Sequence, residues 1–173
     1  MRANTTTNAS TSSPAVSTVW PGETVKVRLS AWGRQDSHVQ ASSGGGRGGA
    51  PYIAVRVGSL LVYAYHHAAA ESFLTGWEKA AQINRTVRLP EFQPRSAARI
   101  HAGEDLAVVC TVGARQRHTV TAQHGPDGRP VLTVTVGAVT IDVHTTTALA
   151  SHLQAWREAA TVTALLETGR PGA

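Results

Sequence analysis

Two stretches of the chain decide its fold: "VRVGSLLVYAYHHAAAESFLTGWEKAA" (55–81) and "VTVGAVTIDVHTTTALASHLQAWREAA" (134–160). Both begin V-x-V-G, and both place a tryptophan nineteen residues after that glycine, Gly58 to Trp77 and Gly137 to Trp156. Both then close on a pair of alanines. Matching residue types at a fixed spacing indicate an internal repeat.

The repeat extends toward the N-terminus. "PGETVKV" at Pro21 matches "AGEDLAV" at Ala102, 81 residues later. From Pro51 and Pro130 onward the matching positions lie 79 residues apart. The difference of two residues falls between "SSGGGRGGAP" and its shorter counterpart "QHGPDGRP", and loops of this composition tolerate insertions. We therefore predict a duplicated unit.

Each copy is predicted to contain four strands and one helix, from alternating Val-, Thr- and Tyr-rich segments followed by helical spacing of apolar residues. Glycine at 58 and 137 marks a tight turn before each fourth strand. Trp77 and Trp156 are predicted to anchor the helices in the core. The predicted strands are Thr24–Ala31, Ser37–Ser42, Tyr52–Val57, Leu60–His66, Leu106–Val112, His118–Gln123, Val131–Val136 and Ala138–His144, with helices at Ala68–Asn84 and Thr146–Glu167.

One four-stranded sheet with one helix leaves apolar helix surface exposed, so two such units should pack helix to helix. The predicted fold class is α+β: a duplicated ββββα unit with two antiparallel four-stranded sheets around paired helices and pseudo-twofold symmetry. The predicted organisation is a disordered Ser/Thr-rich tail (1–20), a first repeat (21–84), a basic linker (85–101), a second repeat (102–168) and a short tail (169–173), with the two repeats forming one domain.

Tandem ββββα units with sheets splayed around paired helices resemble the Whirly family of single-stranded-DNA-binding proteins. The architecture is also similar to the Whirly-like sporulation-specific cell-division activators of actinobacteria. The resemblance covers residues 21–167 and is one of topology. The lysine-rich "KGKAAL"-type motif of plant Whirly proteins is absent, so the resemblance implies a fold and a class of ligand, and assigns no site residue.

The composition favours an acidic partner. The 173 residues carry a net charge of +5, and arginine supplies most of the cations because Lys26 and Lys79 are the only lysines. This Ala-, Val-, Thr-, Gly- and Arg-rich composition is typical of a high-GC bacterial genome, and the resemblance above implies an actinobacterial one. A lone cysteine, Cys110 in "LAVVCTV", rules out an internal disulfide and suggests an inert buried thiol. No stretch is long and apolar enough for a membrane span, and the N-terminus lacks an apolar signal core, so we expect a cytoplasmic protein.

The positive charge is concentrated in the first part of the chain. Residues 21–84 hold six cations and four anions, and 85–101 hold four arginines and one glutamate. Residues 102–168 instead hold four arginines and six acids. The first repeat and the linker are therefore the basic part of the chain.

Strand parity places all three tyrosines on one open face of the first repeat, among cations. The candidate nucleic-acid-binding residues are Lys26, Arg28, Arg47, Tyr52, Arg56, Tyr63 and Tyr65, with Arg47 in the glycine-rich loop. Cations contact phosphates and aromatic rings stack on bases, which suits sequence-tolerant binding of a single strand. The corresponding face of the second repeat is neutral and threonine-rich.

We therefore expect a nucleic-acid-binding protein, most simply one for single-stranded DNA. The same Tyr/Arg face also suits a homo-oligomer or partner-protein interface, or plain sheet surface. The alternative function is a non-enzymatic interaction or regulatory scaffold, such as a cell-division or developmental accessory. No catalytic constellation, cofactor motif or zinc-type spacing is present in the sequence, so we expect neither an enzyme nor a metal or cofactor.

Overall fold

The computed structural model describes residues 25–42, 50–91 and 108–168. Arg47, both predicted tails and most of the predicted linker lie outside these ranges. The described elements are β1 (Val27–Ala31), β2 (Ser37–Ser42), β3 (Tyr52–Val57), β4 (Leu60–Ala64), α1 (His67–Val87), β5 (Val108–Val112), β6 (His118–His124), β7 (Pro130–Val136), β8 (Val139–Val143) and α2 (Thr146–Thr168).

All ten predicted elements are present, and their inward and outward positions follow the predicted alternation. Val55 and Val62 are fully buried, whereas Tyr52 and Tyr63 on the same strands are partly exposed. Gly58 and Gly137 have φ angles of 56° and 58°. A side chain is strained in this left-handed region, which explains why V-x-V-G occurs at both turns.

The strands form two four-stranded mixed sheets, so the prediction of two antiparallel sheets is wrong. The first has the order β1-β8-β7-β6, and the second has the order β2-β3-β4-β5. In each sheet three strands are antiparallel neighbours, and the fourth is a parallel edge strand from the other half of the chain. We call the first the threonine sheet and the second the tyrosine sheet, after their outward-facing residues.

The two parallel edge strands enter in the same way. Val27 of β1 lies opposite Val139 of β8, and Val108 of β5 lies opposite Leu60 of β4. Parallel neighbours need a long crossover connection, and α1 with the segment after it provides one between β4 and β5. The first strand of each predicted repeat thus belongs to the other repeat's sheet.

The helices cross over as well. α1 packs on β6 and β7 of the threonine sheet, α2 packs on β2 and β3 of the tyrosine sheet, and the two helices pack on each other. Phe73 stacks on Trp156 with ring centroids 4.1 Å apart, and Trp77 stacks on His152 at 4.2 Å. The prediction that both tryptophans are core anchors is confirmed, since both are fully buried.

Two loops of similar design join the sheets to the helices. The backbone N–H of Gln35 donates to Ser151 Oγ at 3.1 Å, and that of Gln116 donates to Ser72 Oγ at 2.9 Å. The first bond connects the loop after edge strand β1 to α2, and the second connects the loop after edge strand β5 to α1. The two helices pack on each other and on the inner faces of both sheets, so the outward faces of the sheets point away from the helices.

Candidate nucleic-acid interface

The outward face of the tyrosine sheet is the surface on which the sequence-predicted aromatic residues meet. Helix α2 packs against the strands of this sheet, and the alternate residues point away from the core. We call this surface the tyrosine face; it consists of His38, Gln40, Ser42, Tyr52, Ala54, Arg56, Leu61, Tyr63, Tyr65, Val109 and Thr111.

The three tyrosines form one cluster on and beside the two central strands. The rings of Tyr52 and Tyr63 meet edge to face, with centroids 5.4 Å apart and planes at 78°. Tyr52 and Tyr65 lie 5.8 Å apart with planes at 53°. Tyr65 is 36% exposed, and the other two are partly exposed. A flat group approaching the central strands near the start of β3 and the end of β4 would therefore meet aromatic rings.

Arg56 is the predicted cation that does lie on the tyrosine face. It sits on central strand β3 opposite His38, and its Nε donates to the carbonyl oxygen of Gly58 at 3.3 Å. This bond directs the guanidinium toward the β3–β4 turn. The tyrosines lie nearer the other end of the strands, so charge and aromatic surface lie side by side along one sheet.

Lys26 and Arg28 do not join the tyrosines, so the single basic face expected from the sequence is not assembled. Lys26 immediately precedes β1 and Arg28 lies on it, and β1 belongs to the threonine sheet. Strand parity was predicted correctly, but a parity pattern does not specify which sheet a strand joins.

Arg28 is moreover paired with an acid. Its Nε and Nη2 donate to the two carboxylate oxygens of Asp142 at 2.6 and 3.0 Å, and Thr133 Oγ1 donates to the same carboxylate at 2.7 Å. Burial disfavours ionisation of Asp142, but the hydrogen bonds from Arg28 and Thr133 outweigh it and hold the pKa of Asp142 below its usual value. Arg28 thus serves the threonine sheet.

Strand β5 takes the place that β1 was expected to occupy. It brings Val109, which is 57% exposed, and Thr111 beside Leu61 and Tyr63. The edge of the tyrosine face is therefore apolar instead of basic. Sequence reasoning placed these two residues on the other copy, and no local signal in their strand indicates the exchange.

The outward face of the threonine sheet has a different chemistry. It carries Thr119, Thr121, Thr133, Thr135 and Thr140 together with the Arg28–Asp142 pair. Thr135 and Thr140 hydrogen-bond to each other through their hydroxyls at 3.1 Å. This face, called the threonine face below, has neither a tyrosine nor an unpaired acid among its described strand residues. The expected threonine-rich surface is thus present on β6, β7 and β8, whereas its fourth strand is β1 in place of β5.

The ends of the two sheets also differ. Beside the threonine sheet the indole of Trp32 stacks on the imidazole of His144, with centroids 3.9 Å apart and planes at 5°. Beside the tyrosine cluster there is a cavity of about 30 Å³ lined by Tyr52, Tyr65, His67 and Glu167, among others. That volume holds about two water molecules.

The described residues can also be searched for metal ligands, membrane-spanning helices and reactive thiols. Within residues 25–42, 50–91 and 108–168, no three His, Cys, Asp or Glu side chains are grouped to hold a metal ion. None of the helices in those ranges is long and apolar enough to cross a bilayer. Cys110 is half-buried, and burial raises the pKa of its thiol, which disfavours the reactive thiolate.

Comparisons with known proteins return no match: no family model, curated protein or solved structure is similar to this chain.

Proposed function

We propose that the protein binds single-stranded nucleic acid, most simply DNA, through the tyrosine face. The observation that supports this proposal most strongly is the cluster of three tyrosines on and beside the two central strands of an open four-stranded sheet. A four-stranded sheet with exposed aromatics on its central strands is a known way to stack unpaired bases. Arg56 on the same strands supplies a phosphate contact.

The free energy of base stacking on the tyrosines sets the scale of the expected affinity. Each base stacked on an aromatic side chain contributes about 1–3 kcal/mol, and the contribution is largely independent of base identity. Two stacked bases with one phosphate contact correspond to weak binding, and a longer strand that reaches the basic segments of the chain gains further contacts. We therefore expect salt-sensitive binding that strengthens with oligonucleotide length.

A second candidate function is self-association or partner-protein binding through the same face. The observation that favours it is the apolar pair formed by Val109, which is exposed on the edge strand β5, and the half-buried Leu61 opposite it on β4. Tyrosine and arginine are enriched at protein interfaces, and apolar residues exposed beside them mark such sites. In this case the protein is a non-enzymatic interaction or regulatory scaffold, the alternative function that the sequence also suits.

We further propose that the chain is a duplicated ββββα unit with pseudo-twofold symmetry, of the Whirly type in its topology, and that it acts in the cytoplasm. The equivalent registers of the two parallel edge strands support the duplication, as do the two loop-to-helix hydrogen bonds. The same paired positions provide matched controls, because a residue on the tyrosine face can be compared with its counterpart on the threonine face.

The test is fluorescence anisotropy with labelled single- and double-stranded oligonucleotides at low and moderate salt. Tyr63→Ala and Arg56→Ala should weaken binding of the single strand. Thr135→Ala, the counterpart of Arg56 on the threonine face, should leave it unchanged. Absence of salt-sensitive binding at micromolar protein contradicts the proposal.

Light scattering measures the oligomeric state and so distinguishes self-association from nucleic-acid binding. If the tyrosine face joins two copies, Val109→Asp and Leu61→Asp should convert a defined oligomer into a monomer. If the wild-type protein is a monomer that binds single-stranded DNA, self-association through this face is rejected.

A further inference from the structure

Tyr65 and His144 occupy matching places at the ends of the two sheets. The backbone N–H of Tyr65 donates to the carbonyl oxygen of Val112 at 3.2 Å, and that of His144 donates to the carbonyl oxygen of Ala31 at 3.1 Å. Each residue directly follows the strand that pairs with the parallel edge strand, and each points to the outward face of its sheet. The residue after the edge strand is therefore the next neighbour of each ring.

That neighbour differs between the two sheets. After Ala31 comes Trp32, whose indole lies flat on His144 at a centroid distance of 3.9 Å. After Val112 comes Gly113, which has no side chain to cover Tyr65. The same backbone arrangement thus carries a Trp–His stack beside the threonine sheet. Beside the tyrosine sheet, the edge strand supplies no ring to stack on Tyr65.

The space above Gly113 is open. A Cβ atom built on Gly113 meets no heavy atom of the described residues within 4 Å. On its other side Tyr65 is already flanked by Tyr52, since β4 lies between β3 and β5 in the sheet. The side of Tyr65 toward β5 is therefore where a flat group can be added to the cluster.

We propose that this place, above Gly113 and against the ring of Tyr65, is a binding subsite for one unpaired nucleobase. A base is planar, aromatic and close in size to the indole that fills the matching place on His144. The base would lie where Trp32 lies in the other sheet, and it would extend the row formed by Tyr52 and Tyr65. The subsite rests on the proposed nucleic-acid-binding function. It adds to that function the position and the stacking orientation of one bound base.

The test fills the subsite from within the protein. In Gly113→Trp the new indole should stack on Tyr65 as Trp32 stacks on His144, and it should exclude the base. Gly113 does not require a left-handed backbone, and its surroundings are open, so the variant has room to fold. Thr119→Trp is the matched control, because it adds the same indole at an exposed position of β6 on the threonine face, away from Tyr65. Tyr65→Ser removes the platform by an independent route.

The probe is a fluorescently labelled short oligodeoxythymidine, and circular dichroism and thermal unfolding check the fold of each variant. We expect Gly113→Trp and Tyr65→Ser each to weaken binding about 5- to 150-fold, the range for losing one stacked base, and Thr119→Trp to bind like wild type. If wild type binds and both Tyr65→Ser and a folded Gly113→Trp bind equally well, the subsite is overturned and the proposed function stands. If wild type does not bind the oligonucleotide, the proposed function fails and the subsite fails with it.

Discussion

The imidazole of His152 stacks on the indole of Trp77 between the two helices, with ring centroids 4.2 Å apart and planes at 10°. His152 is 2% exposed, and within the described structure its Nδ1 has no hydrogen-bond partner. Its counterpart in the first half is Phe73, which stacks on Trp156. One of two matching stacks in the core thus contains an ionisable ring in place of a hydrocarbon ring.

This histidine should make the protein sensitive to acid. Burial lowers the pKa of His152 from 6.5 to about 3, so the folded protein keeps the ring neutral while the unfolded chain binds a proton. The stability contribution is complete above the unfolded pKa and is lost as the pH falls toward the folded pKa. Within that window each pH unit costs about 1.4 kcal/mol.

His152→Phe should therefore stabilise the protein and flatten this part of its pH dependence. Removing the unpartnered nitrogen should raise the free energy of unfolding by about 1–3 kcal/mol at neutral pH. Urea unfolding of both proteins between pH 7 and pH 5, followed by circular dichroism, measures the difference. Parallel curves for wild type and variant would show that His152 does not titrate on unfolding.

The ion pair between Arg28 and Asp142 leads to a second prediction. Without the guanidinium, burial of the Asp142 carboxyl is opposed only by Thr133 and by weaker interactions, so Arg28→Ala should raise the pKa of Asp142. Because a depressed carboxyl pKa stabilises the fold above the unfolded pKa, the variant should lose stability at neutral pH. NMR titration of the Asp142 carboxyl checks the shift, and Arg28→Lys, which keeps the charge but loses the two-point contact, should give an intermediate value.

Arg28→Ala should leave oligonucleotide binding unchanged, although Arg28 was among the predicted binding residues. Its side chain lies on the threonine sheet and is held by an acid. Anisotropy titrations of the variant and wild type in the same buffer decide the point. A loss of affinity comparable to that of Arg56→Ala would place the binding surface on the threonine sheet instead.

A cation can be restored to the tyrosine face at the position that β5 occupies. Val109 is the exposed counterpart of Arg28 and lies opposite Leu61 on the tyrosine face, so Val109→Arg should increase affinity for a single strand. Each added phosphate contact steepens the dependence of binding on salt by about one unit of slope. Thr119→Arg adds the same charge to the threonine face and should have a smaller effect. Equal gains from both variants would indicate that net charge alone drives binding.

The crossed architecture predicts that neither half folds alone. Fragment 1–91 lacks the strands on which α1 packs, and fragment 92–173 lacks those under α2. Each fragment should show little amide dispersion in NMR spectra, and mixing the two should restore the spectrum of the folded chain. A stable, dispersed spectrum from fragment 1–91 alone would contradict this interdependence.

Much of the candidate site was predictable because it depends on local alternation. Tyr52, Arg56 and Tyr63 point outward because strand residues alternate between faces whatever their neighbours are. Comparison of the two copies also contained the signal for the proposed subsite, since it aligns Trp32 with Gly113 and His144 with Tyr65. The predicted placement of Lys26 and Arg28 beside the tyrosines was wrong for a different reason, which concerns the partner of their strand.

By itself the sequence determined the number and order of the strands and helices, the turn glycines, the two core tryptophans and the outward position of each tyrosine. These features arise from interactions between residues close together in the chain, so they are visible in the sequence as periodic patterns of apolar and polar residues. Only the tertiary structure decided that β1 and β5 exchange sheets and that each helix covers the other half's strands. An edge strand with the same alternation satisfies either sheet, and the choice depends on long crossover connections and on packing between distant residues. The exchange removes the charge of Arg28 from the tyrosine sheet and puts the apolar Val109 there instead.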